Sequence, residues 1–507
     1  MKKTLSSKWI KVTAFYVLYF SIAFGIFCFI THFSTDDYAV FFDQNASTYP
    51  KITGSYRNAV GLISLFLTAL NINMVRWQLF FGGCLIVVFA ICASLITYNL
   101  LKYSKIKSLR SCLFVSMGTL LLLSNAFIGE WLYFTESYVQ WMMGVIGFSG
   151  GAVYIAKDKS LKNSCLGFVC LLLAAGSYQV CIPMYIYVVM TFIFIKNGCY
   201  LNKRSLMEYI RAWFWGAAAI IGNIIITKMI IKMGILSGSS RVSFEGDILT
   251  NILKPLIKVQ KTIWVDGYSL FPKGVLLFVL LAYLCYLGYV LLRRRKRVVD
   301  ILCIIGCVFT GYVINCMAGC FNGSGFSMTV RVAVPIFGIF TVLIWLIAEH
   351  WEFDCEENSS VMGNLLIVFS GLFLVYNIWI IQCQGIDVIM TNSLDKAYIS
   401  QIQNRIETYE KMNSQEVKKV GFLFDDSPTY KYYGYIKYEG LGGGESTKAF
   451  ATDWSNIMSL NYYTGRSYTK IDVPEDIVFQ VIGKDWVTID TDEQIFFRGD
   501  ECFIAVY

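Results

Sequence analysis

The chain has 507 residues, of which 56% are hydrophobic and only 15% charged, with 7 prolines. A soluble protein of this length needs more charged surface than that, so a soluble globular fold is excluded. The net charge of +8 sits largely in short connecting loops, where it reports membrane orientation and not a nucleic-acid partner.

Long apolar runs recur from Trp9 to Gln384 and then stop. About 20 apolar residues span a bilayer core, and in lipid a helix satisfies its own backbone. The expectation is an all-α polytopic membrane protein with about 11 transmembrane helices in residues 1–384. A small extracytoplasmic α/β domain is expected in residues 385–507. Met1-Lys2-Lys3 precedes the first run, which carries no A-x-A-like cleavage site. That predicts a retained first helix and a cytoplasmic N-terminus.

The first span runs from Trp9 to Ile30 and ends in a polar loop, Thr31 to Asn58, that carries Asp36 and Asp37. Ala59 to Leu70 is apolar but short, so it lies along the interface or re-enters. The second span, Trp77 to Leu101, meets Lys102, Lys105, Lys107 and Arg110, a cytoplasmic marker. The third, Ser111 to Ile128, leads into the aromatic and acidic turn Gly129 to Tyr138, with Glu130 and Glu136. The fourth ends near Ala156. The run from Asn163 to Ile195 is too long for one span, and both of its flanks are basic. It resolves as two short helices meeting at Gly176-Ser177-Tyr178-Gln179, a turn tolerated at membrane depth where it lines a cavity.

The seventh span covers Trp213 to Ile235. The outer loop that follows, Leu236 to Lys273, contains an amphipathic stretch from Ile248 to Trp264. Its Lys254, Lys258 and Lys261 recur at helical spacing, with Pro255 marking a start or a kink. This reads as an interfacial element whose basic face meets headgroups or a lipid phosphate. The eighth span, Val275 to Leu292, stops at Arg293-Arg294-Arg295-Lys296-Arg297. The ninth and tenth, Ile301 to Cys320 and Val332 to Ile347, flank an outer loop, Phe321 to Phe326, with Arg331 at its edge. The acidic stretch Glu349 to Glu357 is cytoplasmic by parity, and Met362 to Gln382 is the eleventh span. In the tail, Asn392 to Met412 has helical periodicity. Val420 to Phe424, Ile477 to Val481 and Cys502 to Val506 read as strands.

With this topology Asp36, Asp37, Glu130, Glu136, Tyr178, Gln179 and Arg331 all face outward. Carboxylates that can take a proton from a hydroxyl, and arginines that can hold a leaving phosphate, fit sugar transfer from a lipid phosphate. Each group also has a plainer use. Adjacent loop aspartates are often solvated or cap a helix. The aromatic turn fits an interfacial belt, Arg331 can snorkel to headgroups, and Tyr178 and Gln179 can bond between helices. Two histidines, His32 and His350, with no C-x-x-C, give no pattern for a His-based metal site or a Ser-His-Asp triad. No cofactor is called for beyond the lipid-linked donor.

Several patches in order resemble the family II type of bacterial membrane glucosyltransferases, the serotype-converting enzymes of O-antigen. They are Ser34-Thr35-Asp36-Asp37-Tyr38, Gly54-Ser55-Tyr56-Arg57, Asn125 to Ser137, Ser177-Tyr178-Gln179 and Arg331-Val332-Ala333-Val334-Pro335. The resemblance implies a GT-C type fold and a sugar, glucose first, moved from a polyprenyl-phosphate donor to a glycan acceptor outside the cytoplasmic membrane. It implies Asp36 or Asp37 as the base; an aspartate that begins a helix is often a cap, so one of the pair holds the loop while the other, Asp37 by preference, does the chemistry. Arg57 and Arg331 become phosphate contacts, Glu130 and Glu136 sugar ligands, and Tyr178 and Gln179 cavity walls. The partners expected are the lipid bilayer, the donor, the glycan and a flippase that delivers the donor. Two other readings compete. A transporter of lipid-linked glycan would need charge through the bilayer, for which Lys228 and Lys232 alone qualify. A membrane-anchored sensor would not need so many spans.

Overall fold

The computed structural model describes residues 2–46, 52, 56–234, 254–293, 298–319, 328–351, 357–424, 450, 452–484, 486 and 489–506. The loop Phe321 to Phe326, the basic residues Arg294 to Arg297, Gly54-Ser55 and the start of the amphipathic stretch, 248–253, lie outside the described residues.

The helices follow the apolar runs. In chain order they are α1 (Lys2–Cys28), α2 (Thr35–Phe42), α3 (Asn58–Ala69), α4 (Gln78–Tyr103), α5 (Leu109–Leu123), α6 (Gly129–Tyr133), α7 (Tyr138–Lys157), α8 (Leu161–Ser177), α9 (Cys181–Lys196) and α10 (Lys203–Lys232). There follow α11 (Lys254–Trp264), α12 (Val275–Arg293), α13 (Val298–Gly319), α14 (Val330–Ala333), α15 (Phe337–Trp351) and α16 (Glu357–Asn413). Short 3-10 turns bridge α5 to α6, α6 to α7 and α14 to α15. Among the described residues, 8 helical stretches are long and apolar enough to cross a membrane, so this is a helical membrane protein. The run from Asn163 to Ile195 does break at Tyr178, where α8 ends, and resumes at Cys181.

Small residues let these helices approach closely. A Cβ on Gly147 of α7 would sit 2.7 Å from Ala174 N and from Cys170 O of α8, so backbone meets backbone there. α14 and α15 run through the middle of the bundle, and nearly every residue from Val330 to His350 is buried.

α16 runs 57 residues without interruption, past Gln382, where the eleventh span was expected to end, and across 384/385, where the C-terminal domain was expected to begin. At 1.5 Å per residue that is about 86 Å, against ~30 Å of hydrocarbon, so a long portion must stand clear of the bilayer. That portion carries Ile399, Ile402 and Ile406 into a second hydrophobic core. Over it lies a sheet in the order β2-β1-β4-β3. β1 (Lys419–Phe424) runs parallel to β2 (Thr469–Lys470) and to β4 (Glu501–Val506), and β3 (Ile495–Arg498) is antiparallel to β4. Helix α17 (Asn456–Thr464) precedes β2. Ile477 to Val481 is not the expected strand but part of helix α18 (Glu475–Val481). Pro474 at its N-cap fixes φ, and Glu475 and Asp476 sit where the helix dipole favours negative charge. Those start signals outweigh a β-branched composition too short to decide. Helix α19 (Thr491–Gln494) is a single turn before β3.

Candidate active site

The acidic pair occupies the first turn of α2. Ser34 caps that helix, and Asp37 at the third position completes a capping box: Ser34 N donates to Asp37 Oδ2 at 2.7 Å and Asp37 N donates to Ser34 Oγ at 3.3 Å. Asp37 is wholly buried and reaches further. Its Oδ2 accepts from Thr135 N at 3.3 Å and its Oδ1 from Glu136 N at 2.9 Å. One carboxylate therefore ties the first loop to the acidic turn. Burial, and then the charge of Glu136, raise the Asp37 carboxyl to about 7, with the backbone donors opposing. Glu136 is itself buried and accepts from Ser137 Oγ at 2.8 Å.

Asp36 points the other way. It is partly exposed, and its Oδ1 accepts from the indole N–H of Trp454 at 3.2 Å. The first loop is also clamped from α16: Phe33 N donates to Asn392 Oδ1 at 2.8 Å, and Asn392 Nδ2 returns a bond to Phe33 O at 3.0 Å.

Glu130, on α6, is 1% exposed and holds the start of α14 twice. It accepts from Arg331 N at 2.7 Å and pairs with the Arg331 guanidinium at 3.2 Å. Both partners being present matters, because an unpaired carboxylate buried here would be costly. Trp131 donates to Arg331 O at 3.0 Å and stacks on Trp141, with ring centres 4.5 Å apart. Tyr178 meets the edge of Trp141 at 5.2 Å and lies under the Arg57 guanidinium, 4.5 Å from its ring centre. Tyr178 also meets the edge of Trp131, ring centres 6.1 Å apart, which ties it to the Glu130–Arg331 pair. Glu130, Arg331, Trp131, Trp141, Tyr178 and Arg57 thus form one connected group, and Asp36 stands on the helix that Asp37 ties to the neighbouring acidic turn.

Arg57 is placed by residues that sequence reasoning missed. Asn58 Nδ2 donates to Asn223 Oδ1 at 2.9 Å and to Thr227 Oγ1 at 2.8 Å, and Asn223 Nδ2 donates to Tyr56 O at 2.6 Å. This network on α10 fixes the left-handed Tyr56 (φ 55°) and the N-cap Arg57. An asparagine inside the apolar seventh span was the signal that could have found it. Gln179 faces an apolar cavity of about 260 Å³, walled also by Tyr56, Ile182, Trp213, Gly216 and Asn223.

Lys254, Lys258 and Lys261 are all exposed on α11, which starts at Lys254 with Pro255 in its first turn. No contact joins them to the carboxylate–arginine group among the described residues. The loop beyond α11 does approach it, since Tyr268 donates to Met328 O at 2.6 Å and packs edge-on to Phe127 at 5.3 Å. Among the described residues no three His, Cys, Asp or Glu side chains gather closely enough to hold a metal ion.

The fold and this group define a polytopic helical membrane protein with carboxylates, two arginines and stacked aromatics assembled where its helices emerge. The family model described as glucosyl transferase GtrII matches residues 25–346, more than half of the chain, and the chain belongs to that family. The match takes in the site residues from Asp36 to Arg331. No curated protein matches the chain.

Proposed function

We propose that the protein is a polyprenyl-phosphate-dependent glucosyltransferase, moving glucose to a surface glycan such as O-antigen on the outer face of the cytoplasmic membrane. The observation that carries this reading is a partly exposed carboxylate, Asp36, on a helix tied to the acidic turn, with the Glu130–Arg331 pair and Arg57 over Tyr178 near an apolar cavity, in a chain of the glucosyl transferase family. The architecture is GT-C type. Its 11 crossings are the 8 long spans plus α8, α9 and α13, with residues 385–507 outside the membrane.

Asp36 is the base. Asp37 has three backbone donors on its two oxygens and no exposure, so it holds the loops. Asp36 takes the proton of an acceptor hydroxyl as that oxygen bonds to the sugar's anomeric carbon. The bond from that carbon to the phosphate oxygen breaks, and the polyprenyl phosphate leaves with the electron pair. Attack opposite the leaving group inverts the anomeric centre. Arg57 and Arg331 stabilise the charge growing on the phosphate. Glu130 keeps Arg331 aimed, and Glu136 lines the sugar side. The cavity below Arg57 takes the first part of the lipid chain, with Gln179 at its polar edge. The lysine face of α11 rests on headgroups beside the donor's entry, and a separate flippase supplies that donor.

The test is purified protein in lipid nanodiscs with undecaprenyl-phosphate glucose. Release of undecaprenyl phosphate that depends on added glycan supports transfer. Binding of the donor with no turnover, together with lipid movement between leaflets in vesicles, would replace this reading with a transporter.

A further inference from the structure

The C-terminal unit reaches back to the candidate base. Trp454 lies 418 positions from Asp36 in sequence, and its indole N–H is bonded to the Asp36 carboxylate. The ring is nevertheless 55% exposed. A tryptophan so exposed leaves a large apolar face in water, which is costly unless something covers it.

Its position is built, not accidental. Lys470 Nζ donates to Asp453 Oδ1 at 2.6 Å and to Asp453 O at 2.7 Å, pinning the preceding residue to β2. On the other side, Ser455 N and Asn456 N both donate to Thr452 O, at 3.0 and 2.9 Å. α17 is then held on α2 by aromatic packing. Tyr462 lies 4.7 Å from Phe33 and 4.9 Å from Phe41, ring centre to ring centre, and the hydroxyls of Tyr463 and Tyr38 are 3.0 Å apart. The Trp454 turn is thus fastened at both ends, with the indole edge on the base and its face open.

We propose that Trp454 is the acceptor platform: a pyranose ring of the acceptor glycan stacks on the indole face and presents its hydroxyl to Asp36. This rests on the glucosyl-transfer reading and adds to it where the acceptor, as opposed to the donor, is held. Stacking suits the task because the C–H face of a pyranose is apolar while its rim of hydroxyls stays wet.

The experiment uses the full chain in nanodiscs, with undecaprenyl-phosphate glucose as donor. The acceptor is envelope glycan isolated from a host deleted for this protein. Slow hydrolysis of the donor by water, without glycan, reports the donor side alone. Trp454→Ala is expected to raise the acceptor KM about tenfold while donor KM and hydrolysis stay as in wild type. Trp454→Phe keeps a stacking face and loses the N–H. It is expected to restore most of the acceptor KM. An acceptor KM within about twofold of wild type in a folded Trp454→Ala, judged by its thermal melt, overturns the platform while leaving glucosyl transfer standing. Equal loss of hydrolysis and transfer in both variants overturns it as well. No transfer by the wild type overturns both readings.

Discussion

Replacing the two aspartates one at a time separates their roles. In Asp36→Asn the amide oxygen still accepts the Trp454 N–H, and the side chain is partly exposed, so stability should stay within about 0.5 kcal/mol. The base is gone, however, and transfer should fall about 10²–10⁴-fold, a barrier increase of about 3–5 kcal/mol. Asp37→Ala should act in the opposite way. It strips the acceptor from the N–H groups of Ser34, Thr135 and Glu136, all buried, and removes half of the capping box. One such orphaned donor costs ~1–3 kcal/mol and the lost cap about 1 kcal/mol more. Asp37→Asn keeps one accepting oxygen but turns an NH2 toward at least one of the three N–H donors, so it should cost ~1–3 kcal/mol, less than Asp37→Ala, and retain transfer within a few fold. The assays are undecaprenyl-phosphate glucose turnover in nanodiscs and thermal unfolding of the same samples. Turnover by Asp36→Asn within about threefold of wild type would refute the assignment. So would an Asp37→Asn that stays folded and loses as much turnover as Asp36→Asn was expected to.

Three further outcomes are expected. Arg331→Ala leaves Glu130 buried without its guanidinium partner and should cost ~3–5 kcal/mol, most of it recovered when Glu130→Gln is added; equal melts for the single and double variants would contradict this. Gly147→Leu should push α7 off α8 and cost about 1–3 kcal/mol or more, read as loss of monodisperse protein in detergent. Gly83→Leu, where a Cβ meets nothing within 4 Å, should be nearly neutral. Stability should also depend on pH through Asp37, whose folded carboxyl titrates near 7 and so above its unfolded value near 4. The folded state then holds a proton that the unfolded chain has lost. The contribution is complete below about pH 4 and is gone once pH has risen through about 7, amounting to ~4 kcal/mol at most. Melting temperatures of wild type should fall over that window relative to Asp37→Asn, and parallel curves would show that Asp37 does not titrate there.

Much of the bundle was legible because apolar length and basic flanks are local signals. The break at Tyr178 is an example: a run too long for one span, with lysines at both ends, had to turn. The long helix α16 was not legible in the same way. The end of the apolar runs at Gln384 reads as an exit from the membrane, yet a helix can leave lipid and continue in water without any change of backbone. Composition marks the boundary of the solvent, not the end of the helix. The site divides similarly. Asp36, Glu130 and Arg331 stood out as charges beside apolar runs. Asn223 and Thr227, which place Arg57, and Asn392 and Trp454, which hold the Asp36 loop, did not. Their partners lie 165 to 418 residues away, and no periodicity encodes such pairings.

That distance shapes how the site can fail. Asp37 joins the first loop to the acidic turn, Asn392 joins that loop to α16, and Tyr463 joins it to the C-terminal unit. The carboxylate that would do the chemistry therefore stands on a short helix held from three directions. Loosening any one of them moves Asp36 relative to Arg331 without touching either. A displacement of about 1 Å at a reacting group can cost about 10²-fold in rate. Substitutions in α17 or at Asn392 should thus look catalytic in a turnover assay while leaving the donor site intact. Donor binding measured alongside turnover separates the two: a positioning defect lowers turnover with donor affinity preserved, whereas damage at Arg57 or Arg331 lowers both.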